Sequence, residues 1–236
     1  MNKKRVIIIA LCILALLAIV GGLLYLFLDY LPEQKREREI REAFEEYYNA
    51  KIEQYERENP EKYGADVAFI GDSLTDGYDV EAYYPELTVA NRGIGGDTTW
   101  GVEKRLQVSL FDLKPKVVVM LIGGNNWRDM FDNYEQILIK LKENLPDSKI
   151  ILLSLTPTAG DFADKCSPFA FNSFKIKKLA EKYGYTFVDV YSPLLDVDNS
   201  CLKAEYTSDG VHFTAAGYEV ITKTLKPVIL SELGKE

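Results

Sequence analysis

Residues 65–77 read ADVAFIGDSLTDG: an apolar run of four, Val67–Ile70, that stops at Gly71-Asp72-Ser73. A short apolar run closed by a turn signal reads as a strand buried on both faces. A Gly-Asp-Ser turn behind it is a ready helix cap. The same grammar recurs downstream. Thr88–Ala90, Val117–Ile122, Ile150–Leu155 and Thr186–Val190 are further short runs rich in β-branched residues. Helical periodicity lies between them, over Thr98–Leu113, Asn133–Asn144 and Phe171–Tyr183, and a final helix is expected over Thr214–Leu233. Strands and helices alternating at this spacing imply right-handed crossovers, a parallel sheet and a three-layer α/β/α sandwich.

In such sheets ligands bind beyond the carboxyl ends of the strands, so the residues following each strand carry the functional reading. They are Gly71-Asp72-Ser73-Leu74-Thr75, then the stretch 91–98 (NRGIGGDT), then Gly123-Gly124-Asn125-Asn126-Trp127, and, before the last helix, Ser208-Asp209-Gly210-Val211-His212. Each has an ordinary reading by itself, as a turn, a cap or a loop histidine. The stretch from Gly93 follows the second strand and has neither the dinucleotide-fingerprint spacing nor the Gly-Lys-Ser/Thr of a P-loop. Together the blocks supply every part of an acyl-transfer site. The Ser73 hydroxyl is a weak nucleophile until a base takes its proton. His212 is the one histidine of the chain, and imidazole suits that task near neutral pH. Asp209, three residues earlier, can fix the tautomer of the imidazole and stabilise its cation. The backbone N–H groups of Ser73 and Gly96 and the side-chain amide of Asn125 are the candidate oxyanion donors, each worth roughly 2.7–4 kcal/mol. Asp72 and Trp127 are candidates for contact with substrate. The order Ser, Asp, His is that of the α/β-hydrolases, but their Gly-x-Ser-x-Gly elbow is missing, since position 75 is Thr.

From about Val67 to Ile221 the sequence resembles the SGNH (GDSL) hydrolase superfamily, whose four blocks carry Ser, Gly, Asn and His in this order. The stretch 91–99 (NRGIGGDTT) is especially similar to the platelet-activating-factor acetylhydrolase-like branch. The resemblance implies a five-stranded parallel sheet of flavodoxin-like order and serine ester hydrolysis without a cofactor or metal. It implies Ser73 as nucleophile, Asp209 and His212 as its partners, and Ser73, Gly96 and Asn125 as the oxyanion hole. Asn126 stands where many members have Asp, so the hydrogen bonding behind Asn125 is open.

The remaining features bound the setting. The chain has 236 residues and a net charge of −8, enough for one domain of about 200 residues and a membrane-proximal segment. A single histidine excludes zinc sites that need two or three, and the acidic balance argues against nucleic acid as a partner. Lys3, Lys4 and Arg5 precede an uncharged run, Val6–Leu28. As a helix those residues would span roughly 34 Å. The run is long for a signal sequence, and Cys12 within it is expected to be a plain membrane-buried thiol. Residues 1–5 are expected to stay cytoplasmic, 6–28 to cross the membrane once and the rest to lie outside. The first 28 residues hold three basic and no acidic side chains, leaving 25 basic against 36 acidic, a net of −11. Residues 29–64 read as a charged helical linker, with Pro32 at the helix start, Pro60 beyond its end, and a stripe of Ile40, Phe44, Tyr47, Tyr48, Ile52 and Tyr55. That stripe either docks on the hydrolase domain, 65–236, or makes a homodimer. Cys166 and Cys201 form a disulfide or remain two thiols. The aromatic residues Tyr78, Tyr83, Tyr84, Trp100, Trp127 and Phe131 suit core packing or substrate contact. Acylated small molecules, glycans or lipids remain as substrate classes, with short acyl groups on a polar carrier preferred. Lysophospholipase or thioesterase activity and a non-catalytic glycan-binding module are the alternatives.

Overall fold

The computed structural model describes residues 2–235. Met1, Glu236 and the side chains of Val6, Ile8, Ile9, Ala10 and Cys12 lie outside that description, and the expectation for the Cys12 thiol falls there. The chain divides by its internal contacts into Met1–Ala50 and Lys51–Glu236.

The first unit holds helix α1 (Lys3–Tyr25), a π-helical turn over Leu26–Tyr30, and helix α2 (Leu31–Lys62) as far as Ala50. The apolar side chains of α1 from Leu11 to Leu24 that are described are exposed. By length and composition the segment is apolar enough to cross a membrane. The start of α2 carries exposed i,i+4 pairs such as Lys35–Glu39, worth little each in water.

The second unit is built on one sheet. Among the described residues five parallel strands pair in the order β2-β1-β3-β4-β5. They are β1 (Val67–Gly71), β2 (Val89–Gly93), β3 (Val117–Leu121), β4 (Lys149–Leu153) and β5 (Thr186–Val188). This is the expected three-layer fold with flavodoxin-like order. Gly71 pairs with Gly93 on one side and Leu121 on the other, so three strands end level and their loops emerge side by side. The direction of the chain crossovers reverses between β1 and β3, the place where doubly wound sheets open a crevice.

Each sheet face is covered. Ala68, Ile70, Val118, Met120 and Ile150 pack beneath Val102, Leu106 and Leu110, beneath helix α3 (Phe131–Asn144) and beneath helix α4 (Cys166–Tyr183). Val67, Phe69, Val117, Val119 and Ile151 pack on Tyr78, Tyr84 and the last helix, Ala215–Glu232. Tyr78 and Tyr84 therefore serve the core, with Tyr78 stacked on Tyr218 at 4.9 Å. The expected helix over Thr98–Leu113 is broken. It forms as Thr99–Lys104 and a π-helical turn over Gln107–Phe111. The break falls at Arg105, whose side chain turns into the interior.

The last turns of α2 belong to this second unit. Tyr55 is buried and its hydroxyl donates to the Gly93 carbonyl at 2.5 Å. The Asn59 amide donates to Val108 O at 2.7 Å. Arg92 is fully buried; it donates to Glu58 at 2.6 Å and to Asn59 at 3.0 Å, and its guanidinium lies 4.6 Å from the Tyr55 ring centroid. Pro60, expected beyond the helix end, lies inside the last turn. Its missing N–H there forfeits one helical bond, and Asn59 and Glu58 are held by contacts outside the helix.

Candidate active site

Ser73 opens a four-residue helix, Ser73–Asp76, directly after β1. Asp72 caps it by accepting the Leu74 N–H at 3.1 Å. The turn needs glycine before it: a Cβ on Gly71 would lie 2.2 Å from the Leu121 carbonyl and from Thr75 Oγ1. The hydroxyl of Ser73 is thus held at the sheet edge, half-buried.

His212 arrives from the loop before the last helix. Its Nε2 lies 2.9 Å from Ser73 Oγ and its Nδ1 2.6 Å from Asp209 Oδ2. Asp209 Oδ1 accepts the backbone N–H groups of Val211 and His212 at 2.9 and 2.8 Å. The hydrogen bond from His212, with those two N–H donors behind it, holds the Asp209 carboxyl well below the usual carboxylate range. A carboxylate, an imidazole and a hydroxyl aligned in this way can pass a proton from the serine oxygen to the ring nitrogen.

The glycine block lies beside this relay. Asn125 donates from Nδ2 to the Asp97 carbonyl at 2.8 Å, which leaves its second amide hydrogen for another acceptor. Asn126 ties back to Thr99: its Oδ1 accepts the Thr99 N–H at 3.2 Å and its Nδ2 donates to Thr99 Oγ1 at 2.9 Å. This is the hydrogen bonding behind Asn125 that the sequence left open. Gly96 is exposed, adopts φ +77° and immediately precedes Asp97. Beneath it, Arg105 and Asp97 form a buried ion pair at 2.8 Å. Arg105 also donates to Gly71 O at 2.9 Å, Arg92 O at 2.8 Å and Ser109 Oγ at 3.0 Å. One guanidinium therefore joins the ends of β1 and β2 to the glycine turn.

Ser73, Asn125, Asp209 and His212 line one cavity with Asp72. Its other walls are apolar: Leu74, Leu121, Leu155, Phe162, Phe169 and Val211, with Lys165, Thr156 and Thr158. Its volume is about 780 Å³, including space open to solvent. Gly96 and Trp127 are not among the lining residues. Trp127 meets Phe169 edge-on at 6.4 Å, behind the wall. Phe162, Lys165 and Phe169 carry no motif in the sequence, and the one available signal was that they follow β4 at its carboxyl end. Cys166 and Cys201 are both free thiols, and the Cys166 Sγ hydrogen-bonds the Thr158 backbone. Among the described residues no group of three His, Cys, Asp or Glu side chains could hold a metal.

Asp72 is the buried carboxyl of the cavity. Burial pushes it up to about 7; the Leu74 N–H and His212 oppose the rise and Asp97 adds to it. In the unfolded chain the group titrates near 3.9. Between those values the folded state holds a proton that the unfolded state has lost, so stability falls as pH rises through this window. The contribution is fully present below the unfolded value. Asp72→Asn keeps the cap acceptor and does not titrate. It is expected to gain on the wild type by about 2–3 kcal/mol from about pH 5 to about pH 8 in urea unfolding. A pH-independent difference would show Asp72 to titrate normally.

A family model for the GDSL-like Lipase/Acylhydrolase family matches residues 69–220. The human platelet-activating factor acetylhydrolase IB subunit alpha2 is 32% identical over 184 residues, covering 71% of this chain and 77% of that protein. The Geobacillus stearothermophilus acetylxylan esterase is 28% identical over 214 residues, covering 73% and 95%. A Streptococcus pneumoniae protein of solved structure shares the fold with a TM-score of 0.76 at 24% identity, covering 83% of this chain and 99% of its own.

Proposed function

Because the chain belongs to the GDSL-like lipase/acylhydrolase family and is a serine ester hydrolase, we propose that it cleaves short acyl esters through Ser73, His212 and Asp209. We further read it as anchored by α1, with residues 1–5 cytoplasmic, 6–28 crossing the membrane and the hydrolase domain outside. The observation that carries the chemistry is the unbroken chain of contacts from Asp209 through His212 to Ser73, opening into the cavity.

Ser73 Oγ attacks the ester carbonyl carbon as its proton moves to His212 Nε2. The Asp209 carboxylate, held ionised by the N–H donors around it, stabilises the imidazolium. The carbonyl oxygen becomes an oxyanion, to which the Ser73 N–H and the free Asn125 amide hydrogen donate from the cavity lining and the Gly96 N–H from the adjoining glycine turn. His212 then returns the proton to the departing alcohol, leaving an acyl-serine. Water repeats the sequence and releases the acid. No cofactor or metal enters these steps.

Asn125→Ala is expected to lower kcat on p-nitrophenyl acetate roughly 10²–10³-fold with little change in KM. A mainly raised KM would place Asn125 in ground-state binding instead. The short acyl group rests on the acetylxylan esterase likeness. The apolar walls of the cavity favour a second reading, a longer lipid acyl chain. A panel of acetylated xylo-oligosaccharides, lysophospholipids and acyl thioesters separates the two by kcat/KM. A glycan-binding module without catalysis would leave Ser73 unlabelled by a fluorophosphonate.

A further inference from the structure

Helix α4 buries Phe169, Asn172, Ser173, Ile176 and Ala180 against the sheet. Its outer face is unlike a solvated helix. Phe171 and Phe174 are 60% and 56% exposed. Lysines stand over their rings: Lys175 is 4.8 Å from the Phe171 centroid and 5.0 Å from Phe131, and Lys178 is 5.6 Å from Phe174. The pattern continues on the cavity wall, where Lys165 lies 4.6 Å over Phe162, and behind that wall, where Arg128 lies 4.2 Å over Trp127.

The charge here runs against the rest of the protein. Residues 165–183 hold five lysines and one glutamate, while residues 29–236 as a whole carry −11. Lys178 pairs with Glu181 and Lys182 with Glu135. Among the described residues Arg128, Lys165, Lys175 and Lys177 form no ion pair; exposed Asp129, Asp132, Asp161 and Asp164 stand near Arg128 and Lys165 in sequence, so the cationic excess is that of the helix lysines themselves. The surface is an outward helix face with projecting rings, not a pocket for a small anion. Aromatic rings interleaved with lysines whose stems lie along them suit the boundary between anionic headgroups and acyl chains.

We propose that this face of α4, with Phe131 and the cavity mouth beside it, docks on an anionic lipid bilayer. The proposal rests on the membrane-anchored reading, because the anchor brings a bilayer within reach. Docking would set the cavity mouth at the headgroup level.

The test uses the full chain in phosphatidylcholine vesicles with or without about a third of phosphatidylglycerol, carrying Phe174→Trp. The added indole is expected to shift to the blue and be quenched by brominated lipid in the anionic vesicles only. About 1 M salt should abolish the effect. Lys175→Glu with Lys178→Glu should lower the ratio of docked to undocked protein ~30-fold or more. Equal quenching in both vesicle types, or none, overturns the proposal. So does a response to a soluble polyanion such as an oligonucleotide without a response to vesicles. Flotation with neutral vesicles reports the anchor separately: an anchored chain whose indole stays unquenched sinks only the docking face. Unchanged p-nitrophenyl acetate hydrolysis by the Phe174→Trp chain verifies its fold.

Discussion

Ser73→Ala is expected to lower kcat on p-nitrophenyl acetate by roughly 10⁴–10⁶-fold, with stability within about 1 kcal/mol of the wild type. The hydroxyl is half-buried, and the one side-chain partner described for it is His212, so its removal leaves no orphaned core group. His212→Ala should fall to a similar floor. The double substitution should fall no further, because nucleophile and base act as one unit. Asp209→Asn should cost about 10⁴-fold, since an amide cannot hold the imidazole in the productive tautomer. Fluorophosphonate labelling and burst kinetics read these losses directly. Wild-type turnover in Ser73→Ala would remove Ser73 from the chemistry; additive losses in the double substitution would mean that His212 acts elsewhere.

Arg105→Ala is expected to destabilise the second unit by about 3–5 kcal/mol, a large part of the 5–15 kcal/mol typical of a whole domain. Both partners of the ion pair are almost wholly buried. Losing one leaves the Asp97 carboxylate uncompensated and strips a donor from the Gly71 and Arg92 carbonyls. Arg105→Lys should recover only part of the loss. An ammonium can meet Asp97 but lacks the planar fork that reaches both strand ends. Asn125 leans on the Asp97 carbonyl, so kcat should fall together with stability. Urea unfolding decides the matter, and a loss below about 1 kcal/mol would mean that the pair is dispensable.

The sheet was legible because strands buried on both faces must be apolar along their length, and Val67–Gly71 and Val117–Leu121 are. The site was legible because strand ends meet at one edge, and short motifs stand there. Three things were not. The break at Arg105 depends on carbonyls from two distant strands, and helical periodicity over 98–113 carries no trace of them. The passage of α2 through Pro60 depends on Asn59 and Glu58 finding Val108 and Arg92. The cavity wall of Phe162 and Phe169 lies in a segment without motif, where aromatic residues look like any others. In each case the deciding partner is remote in sequence, so local pattern could not reveal it.

The Tyr55–Gly93 hydrogen bond also limits how the protein can be divided. A tether exchanged or trimmed between Ala50 and Lys51 would retain that bond and the Glu58–Arg92 pair. A cut after Lys62 would remove both and leave a buried guanidinium facing water at the base of the glycine turn. The seam between the N-terminal segment and the hydrolase unit, for evolution swapping attachments or for anyone preparing a fragment, therefore lies inside a continuous helix rather than at its end.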